Sequence, residues 1–80
     1  MPSKPAPRTP TLNHEPAAVR YARENAGLKQ VDAAKSLRIW PQLLADIEAG
    51  RRNATPAVLN KMANVYNCPR VILERKRWAA

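Results

Sequence analysis

The stretch VDAAKSLRIWPQLLADIEAG, Val31 to Gly50, reads as two short helices joined by a tight turn. In its first half Val31, Ala34 and Leu37 recur at i, i+3 and i+6, one apolar stripe of an α-helix, and Ala33 adds a second small contact. Arg38 and Ile39 supply the turn. Pro41 has its φ already set for a first helical position and no N–H to leave unpaired, so a second helix is expected from Pro41 to Ala49. Gly50 is its natural stop. Leu44 and Ile47 lie three apart and face inward in this reading, which leaves Gln42, Leu43, Asp46 and Ala49 on or near the outer side. A short helix with such an outer face points to a recognition surface.

The flanking segments read as the frame that holds this pair. Asn13 is expected to cap a first helix, with Glu15 and Pro16 in its first turn and its end near Asn25. Ala18, Val19, Ala22 and Ala26 form its apolar side, and Gly27 ends it before Leu28 turns inward. His14 has no second ligand-type residue near it, so a solvent-facing place in the first turn is expected rather than metal binding. Lys29 and Gln30 open the next helix. A lysine there opposes the helix dipole and offers no acceptor to the first N–H groups, an oddity that a bound anion would remove. Beyond Gly50, Arg51, Arg52 and Asn53 make a cationic loop, and Thr55 and Pro56 form a cap and first-position pair for a fourth helix reaching Tyr66. Leu59, Met62, Ala63 and Tyr66 give it an inner face, while Asn60, Lys61 and Asn64 point to water. Asn67 is the expected stop, and Cys68 packs as a small hydrophobe. From Pro69 a last helix carries Val71, Ile72 and Leu73, followed by a basic and aromatic tail from Glu74 to Trp78. No period-2 alternation occurs anywhere, so the expected fold is all-α, a compact five-helix domain over residues 13–80.

Residues 1–12 hold four of the eight prolines together with Lys4 and Arg8, and read as a flexible, disordered Pro-rich basic arm. Either it is an inert solubilising tail or it lies along a phosphate backbone. At 80 residues the chain makes one domain with a small core, since folding at this size buries only about 60% of the unfolded surface. Fourteen Lys and Arg against six Asp and Glu give a net charge of +8, which favours a polyanionic partner, nucleic acid before an acidic membrane surface. A single cysteine allows no internal disulfide. The start of the chain has no apolar stretch of secretory type, and no apolar run is long enough to span a membrane, so a cytoplasmic protein is expected. One Cys, one His and no acid pair at catalytic spacing give no site from which to build an enzyme, and no cofactor or metal is implied.

Taken together, Arg23-Glu24-Asn25-Ala26-Gly27-Leu28-Lys29-Gln30, Ala33-Ala34 before Leu37, Ile47 to Asn53 and the fourth-helix run to Tyr66 resemble the phage-repressor or Cro-like (XRE) helix-turn-helix domains in order and spacing. The resemblance covers residues 17–73. It implies a lambda-repressor-like five-helix domain that binds double-stranded DNA as a homodimer, with the third helix in the major groove. It further implies a buried ion pair between Arg23 and Glu48. Phosphate contacts would come from Lys29, Gln30, Arg38, Arg51, Arg52 and Asn53, and these fix register without carrying sequence information. Base readout would fall to the start of the third helix. Gln42 is the best reader, since its amide can pair with adenine N6 and N7, and Leu43 adds an apolar contact to a thymine methyl. Val71, Ile72 and Leu73 would form the dimer contact. A transcription regulator, repressor or Cro-like, encoded by a bacterium, phage or mobile element, is the function so implied.

Departures from the family pattern sit at the recognition corner. The family usually has Ser or Thr at positions 29 and 40 and Gly at position 38, where this chain has Lys29, Trp40 and Arg38. Arg38 must then adopt a positive φ or take a different turn. Trp40 has three readings: packing on the core, touching sugars or thymine methyls, or anchoring a protein partner. Asp46 would repel phosphate unless it accepts from a cytosine amino group or pairs with an arginine. A second function class follows, a helix-turn-helix domain turned into a protein-binding module through an apolar Trp40, Pro41 and Leu43 corner.

Overall fold

The computed structural model describes residues 12–75. The arm expected over residues 1–12 lies, apart from half-buried Leu12, outside the described residues, as does the tail beyond Arg75. Five helices follow in order: α1 (Pro16–Asn25), α2 (Gln30–Leu37), α3 (Pro41–Ala49), α4 (Pro56–Tyr66) and the short α5 (Arg70–Leu73). Three of the five begin with proline in the first helical turn, where the missing N–H removes a donor that would have no partner anyway. Thr55 caps α4 by accepting from the Val58 N–H at 3.2 Å. Left-handed residues end three helices: Arg38 (φ 61°), Gly50 (φ 82°) and Asn67 (φ 54°). Gly50 is required twice over, because a Cβ there would also sit 3.3 Å from Pro16 Cγ of α1.

α3 packs against both α1 and α2, and α4 packs against α2, α1 and α5. Val19, Ala22, Ala33, Ala34, Leu37, Leu44, Ile47, Ala54, Leu59, Met62, Tyr66 and Leu73 close the core, with Leu28, Ile39, Leu43 and Cys68 packed on its edge. Burial raises the Cys68 thiol pKa.

Several expectations about single residues are corrected. Val31 is 51% exposed, so the inward stripe of α2 is Ala33, Ala34 and Leu37. Ala26 is exposed and stands outside the buried side of α1. Asn13 does not cap α1, whose N-cap is Glu15 with no side-chain cap bond. Instead Asn13 crosses to the α3–α4 loop: its N–H donates to Asn53 Oδ1 at 2.7 Å and its side-chain amide donates to the Ala54 carbonyl at 3.2 Å. His14 is not solvent-facing but 1% exposed. Its Nε2–H donates to the Ile47 carbonyl at 2.8 Å, while Nδ1 accepts from the Ala54 N–H at 3.3 Å. An antiparallel bridge between His14 and Glu74 and a bond from the Glu15 N–H to the Leu73 carbonyl at 2.9 Å tie this segment to the end of α5. The chain entering α1 is thus a clamp across α3, the α3–α4 loop and α5.

Candidate nucleic-acid interface

One polar cluster fixes α3 relative to its neighbours. Glu48 near the end of α3 accepts from Arg23 Nε of α1 at 2.6 Å and from Arg23 Nη2 at 3.1 Å, a bidentate pair whose side chains are 11% and 4% exposed. Glu48 also accepts from Gln30 Nε2 at 3.0 Å, and Arg23 Nη1 donates to the Leu28 carbonyl at 2.8 Å. The hydrogen bond that Arg23 donates to Glu48 raises the Arg23 pKa further. Three helices meet at these two charges. Gln30, which the family motif leads one to expect among the phosphate contacts, has its half-buried side chain bonded instead to Glu48, which sets the start of α2 against the end of α3.

The outer edge of α3 carries a second chain of contacts. Gln42 is exposed and donates from Nε2 to Asp46 Oδ1 at 3.1 Å; Arg51 donates to the same oxygen from Nε at 3.1 Å and approaches it with Nη2 at 2.9 Å. The Arg51 bond, then the Gln42 bond, holds the Asp46 carboxyl below its ordinary pKa. Of the alternatives open for Asp46, the structure takes the arginine pair. Leu43 is half-buried and packs on the core rather than standing outside with Gln42.

Exposed cations precede and follow α3 along the chain. Arg38 precedes α3 in a left-handed conformation, Lys29 stands at the uncapped start of α2, and Arg51 and Arg52 follow α3. Asn53 is exposed, with its Oδ1 engaged by Asn13. Lys61 of α4 reaches back to the Leu37 carbonyl at 3.5 Å, adding a cation at the end of α2 that helical periodicity assigns only to water. Trp40 is 79% exposed at the N-cap of α3 and forms no side-chain cap bond, which excludes core packing for its indole. Leu73 is fully buried and is not a surface for a second copy; Val71 and Ile72, at 69% and 47% exposure, remain outside. Ile72 and Tyr21 line a groove of about 470 Å³ between α1 and the end of α4.

Among the described residues no helix is long and apolar enough to cross a membrane. The search of curated proteins finds no match to the chain. Among solved structures, the crystal structure of the clp gene regulator ClgR from C. glutamicum is similar in fold, with a TM-score of 0.66 and 23% identity over 70% of this chain and 73% of that one. The family profile described as Helix-turn-helix matches residues 19–73, the span from the middle of α1 to the end of α5 that holds the ion pair, the turn and the cation-flanked helix. The chain belongs to the XRE-type helix-turn-helix family of DNA-binding regulators.

Proposed function

We propose that the domain is a sequence-specific regulator of the repressor or Cro-like kind, reading the major groove of double-stranded DNA with α3 and occluding an operator. The observation that carries this reading is exposed Gln42 at the start of α3, held by Asp46 and flanked by the exposed cations Lys29, Arg38, Arg51 and Arg52. Its contact to Asp46 uses one amide hydrogen, which leaves Oε1 and the second hydrogen for the bidentate pattern that adenine presents. Because Arg51 matches the Asp46 charge, the carboxylate orients the reader without repelling the backbone. Lys29, Arg38 and Arg52 grip phosphates on either side of α3, with Gln30 and Asn53 beside them. Two copies meet through Val71 and Ile72 and bind half-sites about 34 Å apart or a multiple of that.

The test compares two variants on duplexes selected from a random library. With about six phosphates neutralised across a dimer, log K falls against log salt with a slope near −5. Gln42→Ala lowers selectivity and keeps that slope, whereas Arg52→Ala flattens the slope and keeps selectivity. A flat salt response in the unmodified chain removes DNA from the reading. The exposed Trp40 and Pro41 favour a second reading, a protein-binding module, without the half-buried Leu43 that the sequence places at the same corner. Under it Gln42→Ala retains full selectivity, and Trp40→Ala stays folded yet loses a protein partner.

A further inference from the structure

The α3–α4 loop is held at both ends, and the chain entering α1 holds the far one. On the near side the N–H groups of Arg51 and Arg52 donate to the Asp46 carbonyl at 2.8 and 3.3 Å. On the far side fully buried Ala54 has both of its main-chain groups engaged by the entry segment, the N–H by His14 Nδ1 at 3.3 Å and the carbonyl by the Asn13 side-chain amide at 3.2 Å. Between these anchors lies Asn53, whose Oδ1 accepts from the Asn13 main-chain N–H at 2.7 Å. A main-chain N–H only donates, so the atom facing it is the amide oxygen, and the sense of the Asn53 amide is settled by chemistry. The end left uncommitted among the described residues is Nδ2, which has two hydrogens and no acceptor capacity, on an exposed side chain next to exposed Arg52. A donor-only group beside a guanidinium suits an anionic oxygen. An asparagine free to turn presents oxygen as readily as nitrogen, and has rotamer freedom to lose on binding.

We propose that Asn13 is a positioning residue for phosphate binding: its N–H holds Asn53 Oδ1, so that the loop offers a phosphate the donor end of the amide. This rests on the phosphate role proposed above for the loop. It adds a residue that lies outside the helix-turn-helix itself, in the segment before α1, and touches no phosphate of its own.

The test measures Kd across a salt titration for the full chain on a mixed-sequence duplex, because phosphate contacts act on any sequence. Four proteins are compared: the parent, Asn53→Ala, a chain assembled by chemical ligation in which an ester oxygen replaces the Asn13 N–H, and the combination of the two changes. A hydrogen bond to a charged group is worth about tenfold in affinity per bound copy, so Asn53→Ala loses about that factor and the ester chain loses most of it. The combined chain binds no more weakly than Asn53→Ala, because the N–H acts only through that side chain. All three keep the parent salt slope, since no cation is removed. Asn13→Ala, which keeps the N–H and loses only the bond to the Ala54 carbonyl, loses less than the ester chain. Thermal melts establish that each protein is folded at the assay temperature. Parent-like affinity in Asn53→Ala or in the ester chain overturns the assignment and leaves DNA binding standing. So do losses that multiply in the combined chain, an ester loss that comes with a flatter salt slope, or a larger loss in Asn13→Ala than in the ester chain. A parent whose affinity does not change with salt overturns the phosphate reading as well.

Discussion

Replacing Glu48 by alanine strands the guanidinium of Arg23, whose side chain is only 11% exposed. It removes both limbs of the bidentate pair and the Gln30 bond, leaving the Leu28 carbonyl as the one remaining hydrogen-bond partner of that guanidinium. A guanidinium keeps its charge at any accessible pH, so the loss is that of a broken buried pair, about 3–5 kcal/mol. A domain of this size has total stability of only about 5–10 kcal/mol, which makes the variant marginal. At about 4 °C or more per kcal/mol, its melting temperature falls by at least about 12 °C. Arg23→Ala costs less, because the Glu48 carboxylate keeps its hydrogen bond from Gln30. The double variant Arg23→Met with Glu48→Leu, which removes both charges and keeps apolar volume, recovers most of the loss of either single change. Urea and thermal melts followed by circular dichroism measure all four proteins. A Glu48→Ala protein that melts within about 4 °C of the parent would refute the reasoning, as would a double variant no more stable than the worse single one.

Arg38→Gly relieves a left-handed residue (φ 61°) and should raise stability by about 0.5–1 kcal/mol in urea melts, while weakening DNA binding through loss of a cation; a fall in stability would mean that the Arg38 side chain supports the turn. Tyr66 has a buried hydroxyl without a hydrogen-bond partner, so Tyr66→Phe should be neutral or stabilising by about 1 kcal/mol at pH 7. Burial raises the Tyr66 pKa above its ordinary value near 10, so its contribution is intact below about pH 10 and is lost as pH rises toward the folded-state value. Tyr66→Phe should therefore show a shallower alkaline loss of stability than the parent, and parallel curves would count against it. His14→Ala leaves the Ala54 N–H without its partner, takes from the Ile47 carbonyl one of two donors, the Gly50 N–H remaining, and opens a cavity, a loss of about 3 kcal/mol in denaturant melts, and a loss under about 1 kcal/mol would show the clamp to be dispensable.

Signals that act through the backbone of one or two residues are legible in the amino-acid sequence by itself. Pro16, Pro41 and Pro56 start helices, Gly50 and Asn67 stop them, and Thr55 caps α4, because each acts through its own φ or its own hydrogen bond and needs no distant partner. Inward residues with regular spacing, such as Leu44 with Ile47 and Leu59 with Met62, are equally plain. The Arg23 and Glu48 pair is readable only through the family motif, since two charges 25 positions apart carry no periodic mark of their own. The facing of residues at the edge of a stripe is decided only by tertiary structure. Val31 stays outside while Leu43 packs on the core edge, and Leu73 is buried while Val71 and Ile72 are not, because each outcome depends on which neighbouring helix covers that position. Asn13 and His14 look like a helix start, yet their partners Ile47, Asn53 and Ala54 lie more than 30 positions away and come within reach only when α3 and its following loop are in place. Trp40 lies at the same limit: composition says that an indole tends to be buried, and only the packing of α2, α3 and α4 leaves this one no core to enter.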